Sequence, residues 1–214
     1  MEQYVHGWPE RTKTIFNGVL TYSIANILYA LLGVIGYLAG SRWMMFYSSD
    51  NVSYSSEVYA TNNLGLIGII GIILAIAIIV GFILFIKGLG DFRSILSPAD
   101  SSSISKIRTA AILILIGSIL VYFPFIRWIG NILNIIAFIL MIVGYAALRK
   151  SGTFPRQARQ GANQLFIAMI IGIVGNALGF IPAFGVVITM AANIVVYIMM
   201  IIGWNNIKNS SATV

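Results

Sequence analysis

Six stretches of this chain are continuously apolar for long enough to cross a bilayer. They run Ile15 to Ala39, Leu64 to Ile86, Ala110 to Ile126, Ile129 to Leu148, Leu165 to Phe184 and Val186 to Ile207. About 20 such residues, wound as a helix, traverse the roughly 30 Å of hydrocarbon. The runs are unbroken rather than alternating, which argues against a β-barrel. In lipid each segment must satisfy its own backbone N–H and C=O groups, and a helix does so alone. The fold class is therefore an all-α integral membrane protein with six transmembrane helices arranged as three hairpins in a single membrane domain.

Charge supports the same class. Only 9% of the 214 residues are charged, against about 25% in a soluble domain. The net charge of +7 is then no sign of a nucleic-acid partner, because the cations are sorted along the chain. The segment before the first run has Arg11 and Lys13. The connection after the second has Lys87, Arg93, Lys106 and Arg108. The connection after the fourth has Arg149, Lys150, Arg156 and Arg159, and Lys208 follows the sixth. These are 11 of the 13 Lys and Arg; only Arg42 and Arg127 fall on the other side. Basic residues near helix ends stay cytoplasmic. Both termini are expected in the cytoplasm and the chain in the plasma (inner) membrane. The expected division is a cytoplasmic N-terminus 1–14, hairpin 15–93, cytoplasmic connector 94–106, hairpin 107–150, cytoplasmic connector 151–163, hairpin 164–208 and tail 209–214. Ser97-Pro98-Ala99-Asp100 reads as the start of a short surface helix, with Pro at the first position. Ser41 to Asn63 reads as the one sizeable external loop. Trp43, Arg127, Trp128 and Trp204 are expected as interfacial anchors.

An internal repeat is visible at the ends of the even helices. Val80-Gly81-Phe82, Val143-Gly144-Tyr145 and Ile202-Gly203-Trp204 each read β-branched, Gly, aromatic, and a basic residue follows within a few positions. Ten residues before each Gly stands Gly71, Asn134 or Asn193. In the last two hairpins Gly117-Ser118-Ile119-Leu120-Val121-Tyr122-Phe123-Pro124 aligns with Gly175-Asn176-Ala177-Leu178-Gly179-Phe180-Ile181-Pro182. Units of equal orientation make a parallel repeat. The three-hairpin plan resembles that of mitochondrial carriers. Their Pro-x-Asp/Glu-x-x-Lys/Arg signatures are missing at Pro124 and Pro182, so that family is rejected and none is assigned.

Small residues in stripes mark close helix packing, because apolar surface alone gives no drive for association in lipid. Gly36 and Gly40 form such a pair on the first helix. Gly172, Gly175 and Gly179 line the fifth. A wall of a cavity is the alternative use of such a stripe.

No Asp, Glu, Lys or His falls inside a span, and such residues are what proton relays and ion sites are made of. One His, no Cys and six scattered acids offer no transition-metal ligand set and no base beside a Ser nucleophile. No catalytic residue and no cofactor are assigned. What remains within the spans is neutral and polar. Asn26, Ser118, Asn134, Asn176 and Asn193 form the candidate polar strip, read either as hydrogen-bonding helix seams or as the lining of a site. The partners expected are the lipid bilayer and a protein partner or second copy. The function expected is that of a non-catalytic accessory or assembly subunit, or of a homo-oligomer. The alternative is a channel or uniporter for a small neutral solute or lipid. A membrane enzyme is the least favoured reading.

Overall fold

The structure, a computed structural model, describes residues 7–47, 55–121, 123–179, 181 and 185–210. The side chains of 34–67 and of Val186 lie outside the description. Six helices follow in order: α1 (Trp8–Tyr47), α2 (Ser55–Arg93), α3 (Pro98–Leu120), α4 (Arg127–Lys150), α5 (Arg156–Leu178) and α6 (Gly185–Lys208). No strand occurs among the described residues, and all six helices are long and apolar enough to cross a membrane. The chain is thus a multi-pass helical membrane protein.

The helices outrun the apolar segments at their polar ends. The expected surface helix at Ser97 and the third span are one continuous helix. Ser97 caps it, its Oγ accepting the Asp100 N–H at 3.3 Å, and Pro98 takes the first turn, where its missing N–H costs nothing. Residues 101–106, expected as connector, belong to that helix, and α5 likewise starts at Arg156 rather than Leu165. Most of the expected external loop is also helical, since α1 continues to Tyr47 and α2 begins at Ser55. Hydropathy reports contact with lipid; helix propensity continues past it into sequences such as Ser-Ile-Ser-Lys and Arg-Gln-Gly-Ala. Pro9, Pro98 and Pro155 stand at the starts of the three odd helices. Gly7, at φ 93°, turns the chain into α1, a conformation that Gly adopts without a Cβ penalty.

Among the described residues each helix runs alongside two others: α1 beside α2, α2 beside α3, and so on around to α6 beside α1. The six form a closed ring of three hairpins. Both described chain ends and the α2–α3 and α4–α5 connections meet at one end, which we term the terminal end. Trp8 Nε1 donates to the Ile207 carbonyl there at 2.9 Å, and the Trp8 ring lies 4.8 Å from Phe92 and 5.5 Å from Phe154.

The hairpins share one register. A Cβ added to Gly81 would meet the backbone of Gly18 and Tyr22; one on Gly144 would meet Ser103 and Ile107; one on Gly203 would meet Gly161 and Leu165. Each pair on the odd helix is four residues apart. Fourteen residues beyond the first member come Leu32, Gly117 and Gly175, and these face Gly71, Asn134 and Ala192. The glycine contacts thus recur in all three hairpins, with α6 shifted by one residue at the far level, where Ala192 rather than Asn193 faces α5. The repeat carries a distinct division of labour. Among the described residues, large buried side chains reach no further from the terminal end than Val19, Phe82, Ile107, Met141, Met169 and Val196 on the six helices in turn. Beyond those levels the buried positions are small residues, among them Ser23, Ala25, Gly117, Gly130 and Gly175.

Candidate functional site

Trp204 joins the three hairpins. Its ring lies 5.7 Å from Phe85 of the first, at 79°, and 6.5 Å from Tyr145 of the second, at 70°. These edge-on arrangements suit the ring quadrupoles. Phe85, Tyr145 and Trp204 are all buried, and the cluster closes the ring at this level. The expectation that Trp204 anchors the membrane interface is corrected by this burial. Gly203 sits on the seam with α5, so the next residue, turned by about 100° on a helix of 3.6 residues per turn, faces the other hairpins. Phe82 and Tyr145 follow Gly81 and Gly144 in the same way, and both are buried. The aromatic of the repeated motif is core, not anchor. Trp128, 62% exposed, and Arg127, also exposed, stand at the start of α4. Trp43, Gly36 and Gly40 lie on α1 among the side chains outside the description.

The polar-strip residues do not converge. Asn26 and Asn176 each donate to the carbonyl four residues earlier in their own helix, Tyr22 and Gly172, both at 2.8 Å. Asn176 and its counterpart Ser118 are exposed. Asn134 lies against Gly117 across the second hairpin, with a buried Oδ1 that has no partner. Asn193 is half-buried on α6. The α5 glycines lie on seams. Gly172 faces Phe138 and Val196, Gly175 faces Ala192, and Gly179 faces Thr189. The Thr189 hydroxyl donates to the Gly175 carbonyl at 3.1 Å.

Two concavities stand out. One, of about 450 Å³, is apolar and lies far from the terminal end, between α1 and α2 against Tyr29, Leu32, Gly71 and Ile72. The other, of about 760 Å³, opens at the terminal end between α4, α5 and α6. Arg149, Lys150, Arg156 and Arg159 line it together with Gln160, Asn163, Gln164 and Asn206, and no carboxylate does. Arg149 is fixed on two sides: its Nη1 donates to Asn163 Oδ1 at 3.2 Å, and its guanidinium lies 3.8 Å from the Phe166 ring centroid. Asn206 Nδ2 donates to Gln164 Oε1 at 2.8 Å. Lys208 lies 4.1 Å over Phe16 at the α6–α1 seam, so the cation-on-ring contact recurs between successive hairpins. In the sequence these cations read only as topology. The signal that singles them out is the lack of any Asp or Glu after Asp100.

Asp91 and Asp100, the two acids of the α2–α3 region, differ in burial. Asp100 is 2% exposed. It accepts hydroxyl bonds from Ser97 at 2.9 Å and from Thr153 at 2.6 Å, which ties the start of α3 to the α4–α5 connection.

Among the described residues no cluster of His, Asp or Glu fit to hold a metal ion is present. Comparison with known protein families, curated protein sequences and solved structures yields no match.

Proposed function

We propose that this chain is a non-catalytic structural subunit of the plasma (inner) membrane that works by lateral assembly, with another membrane protein or with further copies of itself. Its termini and basic connections face the cytoplasm. The observation that carries this reading is the buried contact of Trp204 with Phe85 and Tyr145, which makes the terminal end of the ring a solid joint of three hairpins. Asn26 and Asn176 bond back to their own helices and Asn134 is packed against Gly117 on the α3–α4 seam, rather than gathered around a common space. The exposed Ser118 and Asn176 supply polar groups for contacts with a neighbour, each about 0.6 kcal/mol across a helix seam in lipid. The chain has no cysteine, which permits a clean test. In native membranes, Asn176→Cys and Ser118→Cys are expected to cross-link, to a second copy or to a partner band, while Ser103→Cys is not. Monomers only, at every protein density, would remove this reading.

A second reading, a uniporter for a small neutral solute, draws support from buried polar atoms without partners: Ser23 Oγ, Asn134 Oδ1, Tyr145 Oη and Trp204 Nε1. In liposomes Trp204→Ala should then raise the flux of a solute such as glycerol above that of the unaltered protein. Equal, background flux for both rejects it.

A further inference from the structure

Every acidic residue of the chain stands at or before Asp100; residues 101–214 carry eight Lys and Arg and no Asp or Glu. Half of those eight line the terminal-end pocket. Among the described residues no Asp or Glu lines the pocket; Asp100, on α3, is taken up by the Ser97 and Thr153 hydroxyls. Arg149 and Lys150 occupy the last turn of α4, where cations oppose the negative end of the helix dipole. Arg156 and Arg159 do the reverse. They occupy the first turn of α5, which has no acidic residue and no side-chain cap. There they add to the positive end of that dipole and repel each other at i, i+3 spacing. This arrangement is unfavourable in the empty pocket and favourable around an anion. Arg149, held by Asn163 and Phe166, presents a guanidinium whose order is already paid for by the fold, and planar guanidinium groups bind phosphate oxygens in pairs. Neutral amides complete the wall. We infer that this pocket is a binding site for a phosphate group. Its position, at the ends of three membrane helices, suits the headgroup of an anionic lipid in the adjoining leaflet; a soluble phosphate ester has the same chemistry.

The test uses the full-length protein in neutral detergent, with phosphatidylglycerol and phosphatidylcholine of equal chain length competing, and bound lipid read by native mass spectrometry. Phosphatidylglycerol should be retained in excess. Arg156→Gln and Arg159→Gln, at positions that pack little, should each lower that excess about fivefold, the weight of one cation near an anionic surface. Arg149→Gln should do at least as much, with thermal unfolding used to confirm that it is folded. Lys87→Gln with Arg93→Gln, on the other basic connection, should leave retention unchanged. If glycerol phosphate displaces the lipid, or alone raises the unfolding temperature of the unaltered protein but not of Arg159→Gln, the pocket takes a soluble ester. Equal retention of both lipids with no response to glycerol phosphate overturns the site. Equal loss in the Lys87/Arg93 variant overturns it too, since charge alone would then explain binding.

Discussion

The Gly81 backbone lies so close to Gly18 that a Cβ on Gly81 would stand 2.6 Å from the Tyr22 nitrogen and 2.9 Å from the Gly18 oxygen. The crowding is against backbone, which cannot swing aside. Gly81→Ala, and Gly18→Ala on the facing helix, should therefore destabilise the protein by about 1–3 kcal/mol through overpacking. Gly172→Ala is the matched comparison. A Cβ there would meet Phe138 and Val196 at 3.5 and 3.6 Å, an ordinary contact, and the change should fall within about 0.5 kcal/mol. Thermal unfolding in one detergent, monitored by circular dichroism, ranks the three.

Trp8 should matter far more than Trp128, although both begin a helix. Trp8 is buried against Phe92 and Phe154, so Trp8→Ala should cost about 3–5 kcal/mol. Trp8→Phe keeps an aromatic ring and loses the bond to the Ile207 carbonyl. That carbonyl still accepts the Ser210 hydroxyl at 2.7 Å, so the cost should be only about 1 kcal/mol. Trp128→Ala, at 62% exposure, should stay within about 0.5 kcal/mol. Chemical unfolding followed by tryptophan emission reads all three.

The features legible in the sequence were those that lipid itself selects. Apolar runs marked six spans because hydrocarbon tolerates little else, and Gly81, Gly144 and Gly203 marked the hairpin register because only small residues let helix backbones meet. The continuity of the Ser97 surface helix with the third span, and the helical stretch 156–164, are not legible there, because both leave the apolar layer without ceasing to be good helix. Trp204 was misplaced for a different reason. An aromatic one position after a seam glycine and a few before a cation has the same local pattern whether it faces headgroups or the ring centre, and only the other two hairpins decide. The basic pocket joins residues as far apart as Arg149 and Asn206. No local spacing announces it.

Asp100 should prove to be a structural carboxylate and Asp91 a replaceable one. Asp100 is reached by the Ser97 and Thr153 hydroxyls, and its own N–H returns to Ser97, a reciprocal cap of the kind that fixes helix starts. Ser97→Ala should cost about 0.5–2 kcal/mol. The pair Ser97→Ala with Asp100→Ala should cost less than the sum of the two singles by about 0.5 kcal/mol or more, because they share one network. Asp91→Asn should be near neutral. A thermal-unfolding double-mutant cycle measures the coupling, and strict additivity would show that Asp100 acts alone.

The sidedness of the ring rests on its cations, and two exposed positions at its opposite ends put that to the test. Gln157 lies in the first turn of α5 at the terminal end, and Phe125, 92% exposed, lies in the turn between α3 and α4. In the cysteine-free background, Phe125→Cys should react with a membrane-impermeant maleimide on intact cells, and Gln157→Cys only after permeabilisation. Ser103→Cys, replacing a side chain 5% exposed, should resist labelling under both conditions until the protein is unfolded, which controls for reagent leak. The opposite pattern would reverse the orientation that the basic residues imply. Labelling of both exposed positions from the same side would break the second hairpin, and with it the six-span ring.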